Sequence, residues 1–227
     1  MNLSSPTAAP LELAALHRST AVGAAVRVGV PTGVDPGRLL AAAGFRVESV
    51  RPGRIWLHVD AVRLRTLPDI VAPGMRLLIC GLNPSLYAAD AGVNFARPGN
   101  RFWPAALAAG IVSRDRDPWD ALVTHGVGWS DLVKRATVAA GELTAAEYTV
   151  GTERLAWTVE LLKPGVVCFV GLTGWRAAVD RRAVAGKQPG GFAGARAYVM
   201  PNTSGLNART SLTDFTAHLR AASRLAD

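Results

Sequence analysis

Hydrophobic and polar positions divide the chain into two parts with different patterns. Up to about residue 65 the apolar runs are short, which predicts a small β-α-β-β unit preceded by one or two helical turns. The predicted elements of this unit are Leu11–Arg18, Ala24–Val30, Pro36–Ala43, Arg46–Val50 and Ile55–Val59. The pattern does not indicate what this N-terminal extension does.

From residue 66 onward, longer apolar runs alternate with helical patterns. Strands are predicted at Leu77–Cys80, Val166–Val170 and Arg196–Met200. Helices are predicted at Ala105–Ala109, Thr144–Leu162, Gly174–Asp180 and Ser211–Leu225, and the segment Gly126–Thr137 is interpreted as a connection. Strands that alternate with helices form mostly parallel sheets with helices on both faces. We therefore predict an α/β protein, with a three-layer α/β/α sandwich at residues 66–227 and a small α+β extension at residues 1–65.

The first strand of this larger part leads into a loop rich in Gly, Pro and Asn. Gly81 ends the apolar run, and Pro84 fixes its own φ and keeps Asn83 out of the helical region. The chain leaving the strand is therefore stiff and sharply turned. Because ligands bind at the carboxyl edge of open α/β sheets, we expect the Asn83 side chain to face a pocket.

Composition and charge narrow the class of protein. The 227 residues are 49% hydrophobic, which suits a globular chain with a sizeable core. The net charge is +8 and nearly all of the positive charge is Arg, so the chain attracts phosphate backbones; an Arg-rich genome gives a similar count. No secretory leader or long apolar segment is present, and we expect a cytoplasmic, nucleoid-associated protein.

The two cysteines, Cys80 and Cys168, lie in apolar runs and are predicted to be packing residues. Two thiols cannot ligate an iron–sulfur cluster that needs four, and no spaced His/Cys set for zinc is present.

Three motifs occur in order along the larger part of the chain: Gly81–Ser85, Asn94–Trp103 and Pro201–Asn207. Together they resemble the motifs of the mismatch-specific uracil/thymine DNA glycosylases, family 2 of the uracil-DNA glycosylase superfamily. The resemblance extends from about Thr66 to the C-terminus. It implies a monofunctional enzyme that acts as a monomer on double-stranded DNA with a mismatched or damaged pyrimidine, needs no metal or cofactor, and leaves an abasic site.

The resemblance also implies roles for residues of the first two motifs. Asn83 cannot accept a proton as a carboxylate does, so it is expected to orient the attacking water through its amide oxygen. The residues expected to form the base pocket are Leu82, Ser85, Ala88, Phe95 and Asn202. In that pocket Phe95 would stack on the flipped base, backbone N–H groups would stabilise the departing base, and Ala88 would leave room for a C5 substituent. Phe102 and Trp103 are predicted to be core residues.

The third motif is expected to contact DNA. Leu206 is an apolar side chain in a loop of small and polar residues, as an intercalating wedge requires. The other predicted DNA-binding residues are Ser204, Gly205, Asn207 and Arg209. The family's usual Gly-Leu-Ser-Arg is one residue longer here, which leaves the match of Arg209 open. Arginines of the N-terminal extension, such as Arg46, fit a solvated surface better than an added DNA-binding face.

Two other classes of protein fit parts of the sequence. A non-catalytic module that binds mismatched or abasic DNA would keep the charge, the pocket and Leu206, but would not need Asn83. A metabolic α/β enzyme would use the same sheet edge, yet neither a Gly-x-Ser-x-Gly elbow nor a phosphate loop ending in Gly-Lys-Ser/Thr is present.

Overall fold

A computed structural model describes all residues, 1–227, in two β-sheets and eight α-helices. The elements of the N-terminal part are α1 (Ala9–Ser19), β1 (Ala25–Pro31), α2 (Pro36–Ala42), β2 (Phe45–Arg51) and β3 (Trp56–Arg63). The elements of the larger part are β4 (Leu77–Gly81), α3 (Leu86–Ala91), α4 (Phe102–Ala109), α5 (Pro118–His125), β5 (Val127–Asp131), α6 (Ala145–Leu162), β6 (Val166–Val170), α7 (Leu172–Ala178), β7 (Gly186–Phe192), β8 (Ala195–Met200) and α8 (Leu212–Arg224).

The central sheet has five strands in the order β5-β4-β6-β8-β7. All neighbouring strands are parallel except β7, which runs antiparallel to β8 at one edge. Every residue of β4, β5 and β6 is buried, as expected for strands covered on both faces. Helix α4 packs against α8, and α6 packs against α7. The predicted three-layer α/β/α sandwich with a mostly parallel sheet is thus confirmed.

One segment of the larger part was predicted wrongly. The segment Gly126–Thr137 is not simply a connection, since it contains strand β5, next to β4. The apolar pattern of this strand is interrupted by Gly128, Ser130 and Asp131. Contacts with residues outside the strand explain the first two. A Cβ on Gly128 would clash with the Met75 sulfur, and the Ser130 hydroxyl donates to Asp69 over 2.8 Å.

Two further differences concern short elements. Strand β7 was not predicted because an edge strand with several glycines and a proline lacks an apolar pattern. The helix expected at Gly174–Asp180 is α7, which begins two residues earlier and directly follows Gly171.

The N-terminal part forms a three-stranded antiparallel sheet in the order β1-β3-β2, with its own apolar cluster around Leu39, Phe45 and Val59. The predicted β-α-β-β order is present, and the helical turns before it form the 11-residue α1. The division into two domains between residues 65 and 66 stays a prediction. The two parts are in contact there: the Arg65 guanidinium donates to the Asp90 carboxylate over 2.7 Å, and Asp69 N–H donates to the Ala42 carbonyl over 2.9 Å.

Cys80 and Cys168 are both buried, as predicted, and burial raises the pKa of Cys168 to about 12. No helix of the chain has both the length and the hydropathy that crossing a membrane requires.

Candidate active site

A cavity of about 290 Å³ lies at the carboxyl edge of the central sheet, between the loops that follow β4, β5, β6 and β8. It brings together most of the predicted site residues: Leu82, Asn83, Ser85, Ala88, Phe95, Asn202, Ser204 and Leu206 all line it. Gly205, Asn207 and Arg209 lie in the same loop as Leu206 but do not line the cavity. The three sequence motifs therefore meet at one place.

A larger cleft of about 920 Å³ lies between α1 and α5, away from these residues. Several of its charged side chains are paired with one another, as in Arg114–Asp120 at 3.5 Å and Arg116–Asp115. It contains none of the predicted site residues, so we place the candidate site in the smaller cavity.

The Asn83 amide is held by its nitrogen. Nδ2 donates to the Thr137 hydroxyl over 2.7 Å and to the carbonyls of Arg135 and Pro84 over 2.9 and 3.2 Å. Because backbone carbonyls only accept hydrogen bonds, this environment fixes which end of the amide is nitrogen. No protein group donates to Oδ1, which is left as an oriented acceptor in the cavity.

Phe95 is in the left-handed backbone region, with φ of 57°, which is a strained conformation for an aromatic residue. One face of its ring stacks on the fully buried Phe102, with centroids 4.3 Å apart and planes 14° apart. A Cβ on Gly81 would come within 3.3 Å of the ring, so the glycine leaves space for it. Phe102 and Trp103 are core residues, as predicted.

The backbone N–H groups of Ser85 and Phe95, two residues of the cavity wall, have no protein acceptor. Ser85 is the N-cap of α3, where its hydroxyl accepts from Ala88 N–H over 3.1 Å. This cap fixes the first turn of the helix and places Ala88, which is buried, in the wall. The unpaired N–H groups are available to an anionic or carbonyl oxygen in the cavity.

The sequence analysis missed Asp131, which also lines the cavity. Asp131 ends β5 beside Gly81 and is 4% exposed. Burial raises its pKa to about 6, and nearby Asp69 acts in the same direction, although Lys134, Arg154 and a 3.0 Å hydrogen bond from Asn94 oppose the rise.

A buried ionic network holds Asp131 in place. Asp69 accepts from Arg154 over 2.7 Å and from Lys134 over 2.8 Å, and Arg154 also donates to the Asp131 carbonyl over 2.5 Å. Burial opposes ionisation of Asp69, but the two cations outweigh it and lower its pKa. Asp69 is therefore the permanent anion of the network and Asp131 the titratable one.

The loop after β8 presents Leu206, which is 89% exposed. Asn202 Oδ1 accepts from Ser204 N–H over 2.9 Å, and Asn207 Nδ2 donates to the Asn202 carbonyl over 2.8 Å. Asn207 thus braces the loop from within. Arg209 is exposed and forms no ion pair.

Arg101, a second residue that the sequence analysis missed, binds this loop from the second motif. Its guanidinium donates to the carbonyls of Thr210 over 2.7 Å, Ser204 over 3.3 Å and Asn207, and it lies 4.8 Å from the Phe215 ring centroid. Its place within the second motif was the signal that could have identified it. For Asp131 the signal was weaker, because only recognition of β5 would have placed it at the sheet edge.

No three His, Cys, Asp or Glu side chains of the chain converge to hold a metal ion.

The model of one protein family, described as the uracil DNA glycosylase superfamily, matches residues 68–225 of this chain. The match begins just after the N-terminal sheet and includes all five strands of the central sheet and all three motifs. The superfamily acts on DNA and hydrolyses the N-glycosyl bond between a base and its sugar. With its fold, its cavity and most of its length in agreement, this chain belongs to the uracil DNA glycosylase superfamily.

Proposed function

We propose that this DNA glycosylase removes uracil, and also thymine or other pyrimidines with a small C5 substituent, from mismatched duplex DNA. The observation that carries the proposal is the Asn83 amide, whose nitrogen is fully bonded while its oxygen stays free in the cavity. Such an acceptor holds and orients a water molecule. No lysine lines the cavity to form a Schiff base, which supports hydrolysis by water and an abasic product.

The target base must first leave the stack, because no catalytic group can reach its glycosidic bond inside a duplex. In the cavity the base would lie against Phe95, whose other side is supported by Phe102. Leu206 would fill the gap that the base leaves in the duplex. A mismatched base costs less to unstack than a paired one, which favours G·U and G·T sites.

Negative charge gathers on the base as the bond to C1′ breaks. The unpaired N–H groups of Ser85 and Phe95 would donate to the base oxygens and stabilise this charge. Asp131 in its protonated form would add a third donor, whereas its anion would repel the leaving base. The small side chain of Ala88 in the cavity wall supports acceptance of a C5 methyl group.

Single-turnover assays on duplexes with U opposite G, T opposite G and U opposite A would test the proposal, with the native protein and Asn83→Ala compared. We expect base release by the native protein, fastest for the mismatches, and about a hundredfold slower release by the variant. Binding to a duplex that carries a non-cleavable 2′-fluoro-uridine serves as the control and should persist in the variant. A native protein that binds these duplexes but releases no base would instead indicate a non-catalytic lesion-binding module.

A further inference from the structure

We propose that Val138 makes a second apolar contact with DNA, on the side of the flipped nucleotide away from Leu206. This inference rests on the proposed function, since the partner is the duplex that the enzyme opens. Val138 is 72% exposed, and both it and Leu206 line the mouth of the cavity.

The sheet order separates the two side chains. Val138 follows β5 and Leu206 follows β8, while β4 and β6 lie between those strands. Three strand spacings correspond to about 14 Å. The cavity opens between the two loops, so a nucleotide that enters it passes with one apolar side chain on each side.

The loop that carries Val138 is anchored on both sides of this residue. Thr137 N–H donates to the Pro84 carbonyl over 3.1 Å, and the Thr137 hydroxyl accepts from Asn83 over 2.7 Å. On the other side, Ala139 N–H donates to the Glu142 carboxylate over 2.7 Å. Val138 is therefore held out in solvent by a braced loop, directly after the threonine that binds Asn83.

The position of Val138 identifies its partner as the substrate. Val138, Ala139 and Ala140 are all exposed, uncharged and part of the cavity mouth. A protein that covered them would also cover the entrance to the cavity, whereas DNA that delivers a base must lie against them. Apolar side chains at such positions pack against sugars and unstacked base faces.

The test compares Val138→Thr, which keeps the shape but replaces a methyl group by a hydroxyl, with Val138→Ile, which keeps the apolar character. Val150→Thr provides a matched control, because Val150 is 66% exposed on α6 and lies outside the cavity. All are made in the full chain and assayed with the non-cleavable G·U duplex for binding and with the cleavable one for single-turnover release.

We expect Val138→Thr to bind about three- to tenfold more weakly than the native protein, from the lost apolar burial. Val138→Ile and Val150→Thr should bind at least as well as the native protein. Equal affinities for both Val138 variants and the native protein would overturn the inference, as would an equal loss in Val150→Thr. If the native protein itself binds no mismatched duplex, the proposed function fails, which is a separate result.

Discussion

Among single residues, the buried carboxyl of Asp131 has the clearest consequence for pH dependence. Its pKa is raised to about 6 by burial, and it lies among Asp69, Lys134, Arg154 and Asn94. Because only the protonated form donates to the leaving base, we expect the single-turnover rate of the native protein to fall as pH rises through about 6. In Asp131→Asn, which donates at every pH, this dependence should disappear. Rates measured between pH 5 and 8.5 test this, and a variant that retains the same fall would contradict it.

Stability provides an independent control for the same variant. A carboxyl whose pKa is raised from 3.8 to about 6 on folding favours the folded state when protonated, and this contribution is lost as pH rises through the folded value. We expect Asp131→Asn to exceed the native protein in free energy of unfolding by about 2 to 3 kcal/mol at pH 8. The difference should vanish below about pH 4, which urea denaturation at both pH values would show.

The site residue Asn83 could be predicted from the sequence, whereas Asp131 could not. Asn83 lies two residues after Gly81 and directly before Pro84, so its position at the end of a strand can be predicted from neighbouring residues. Asp131 follows a segment whose small and polar residues contact Met75 and Asp69, which are distant in sequence. Its burial, and therefore its pKa, depends on contacts that no local pattern contains.

The same distinction holds for whole elements. Strands β4, β6 and β8 were predicted from their apolar runs, and α6 and α8 from apolar residues that recur at helical spacing. In the structure these two helices are also capped, by Thr144 and Ser211. Strand β7 is stabilised by its pairing with β8, and its own residues do not predict a strand. The loop after β8 could be assigned only by its resemblance to a motif, and its structure depends on Arg101.

Arg101 links the second motif to the loop that carries Leu206, and we expect this link to be necessary for base flipping. Arg101→Met removes donors to three loop carbonyls, so Leu206 should lose its fixed position. Single-turnover release from a G·U duplex should fall about tenfold or more. The loss should be much smaller when the uracil is already unpaired in a bulge, because flipping the base out of the duplex then costs less free energy.

The matched control for this variant is Arg220→Met, since Arg220 also donates to a backbone carbonyl, that of Ala108, but on α8. It should release uracil at the native rate. Arg101→Lys should recover only part of the activity, because an ammonium group cannot reproduce the planar fork. An equal loss on paired and bulged uracil would show that Arg101 supports the fold in general and not the wedge.

Over the whole molecule, the positive charge is divided between paired and free arginines. On the N-terminal sheet Arg27 and Arg51 both bind Asp60, at 2.6 and 2.7 Å, and Arg46 pairs with Glu48 at 2.8 Å. Near the cavity, Arg97 and Arg209 are exposed and have no acidic partner. These two guanidinium groups are thus available to phosphates where the site opens.

Salt dependence of binding tests whether Arg209 contacts a phosphate, which its shifted place in the third motif leaves open. Each phosphate contact releases counterions and contributes about 0.9 to the slope of log K against log salt concentration. We expect Arg209→Gln to reduce the slope for the non-cleavable G·U duplex by about one, while Arg46→Gln, whose guanidinium is paired and distant, leaves it unchanged. Fluorescence anisotropy over a range of salt concentrations gives both slopes. A native slope in Arg209→Gln would mean that the extra residue before this arginine moves it away from the DNA backbone.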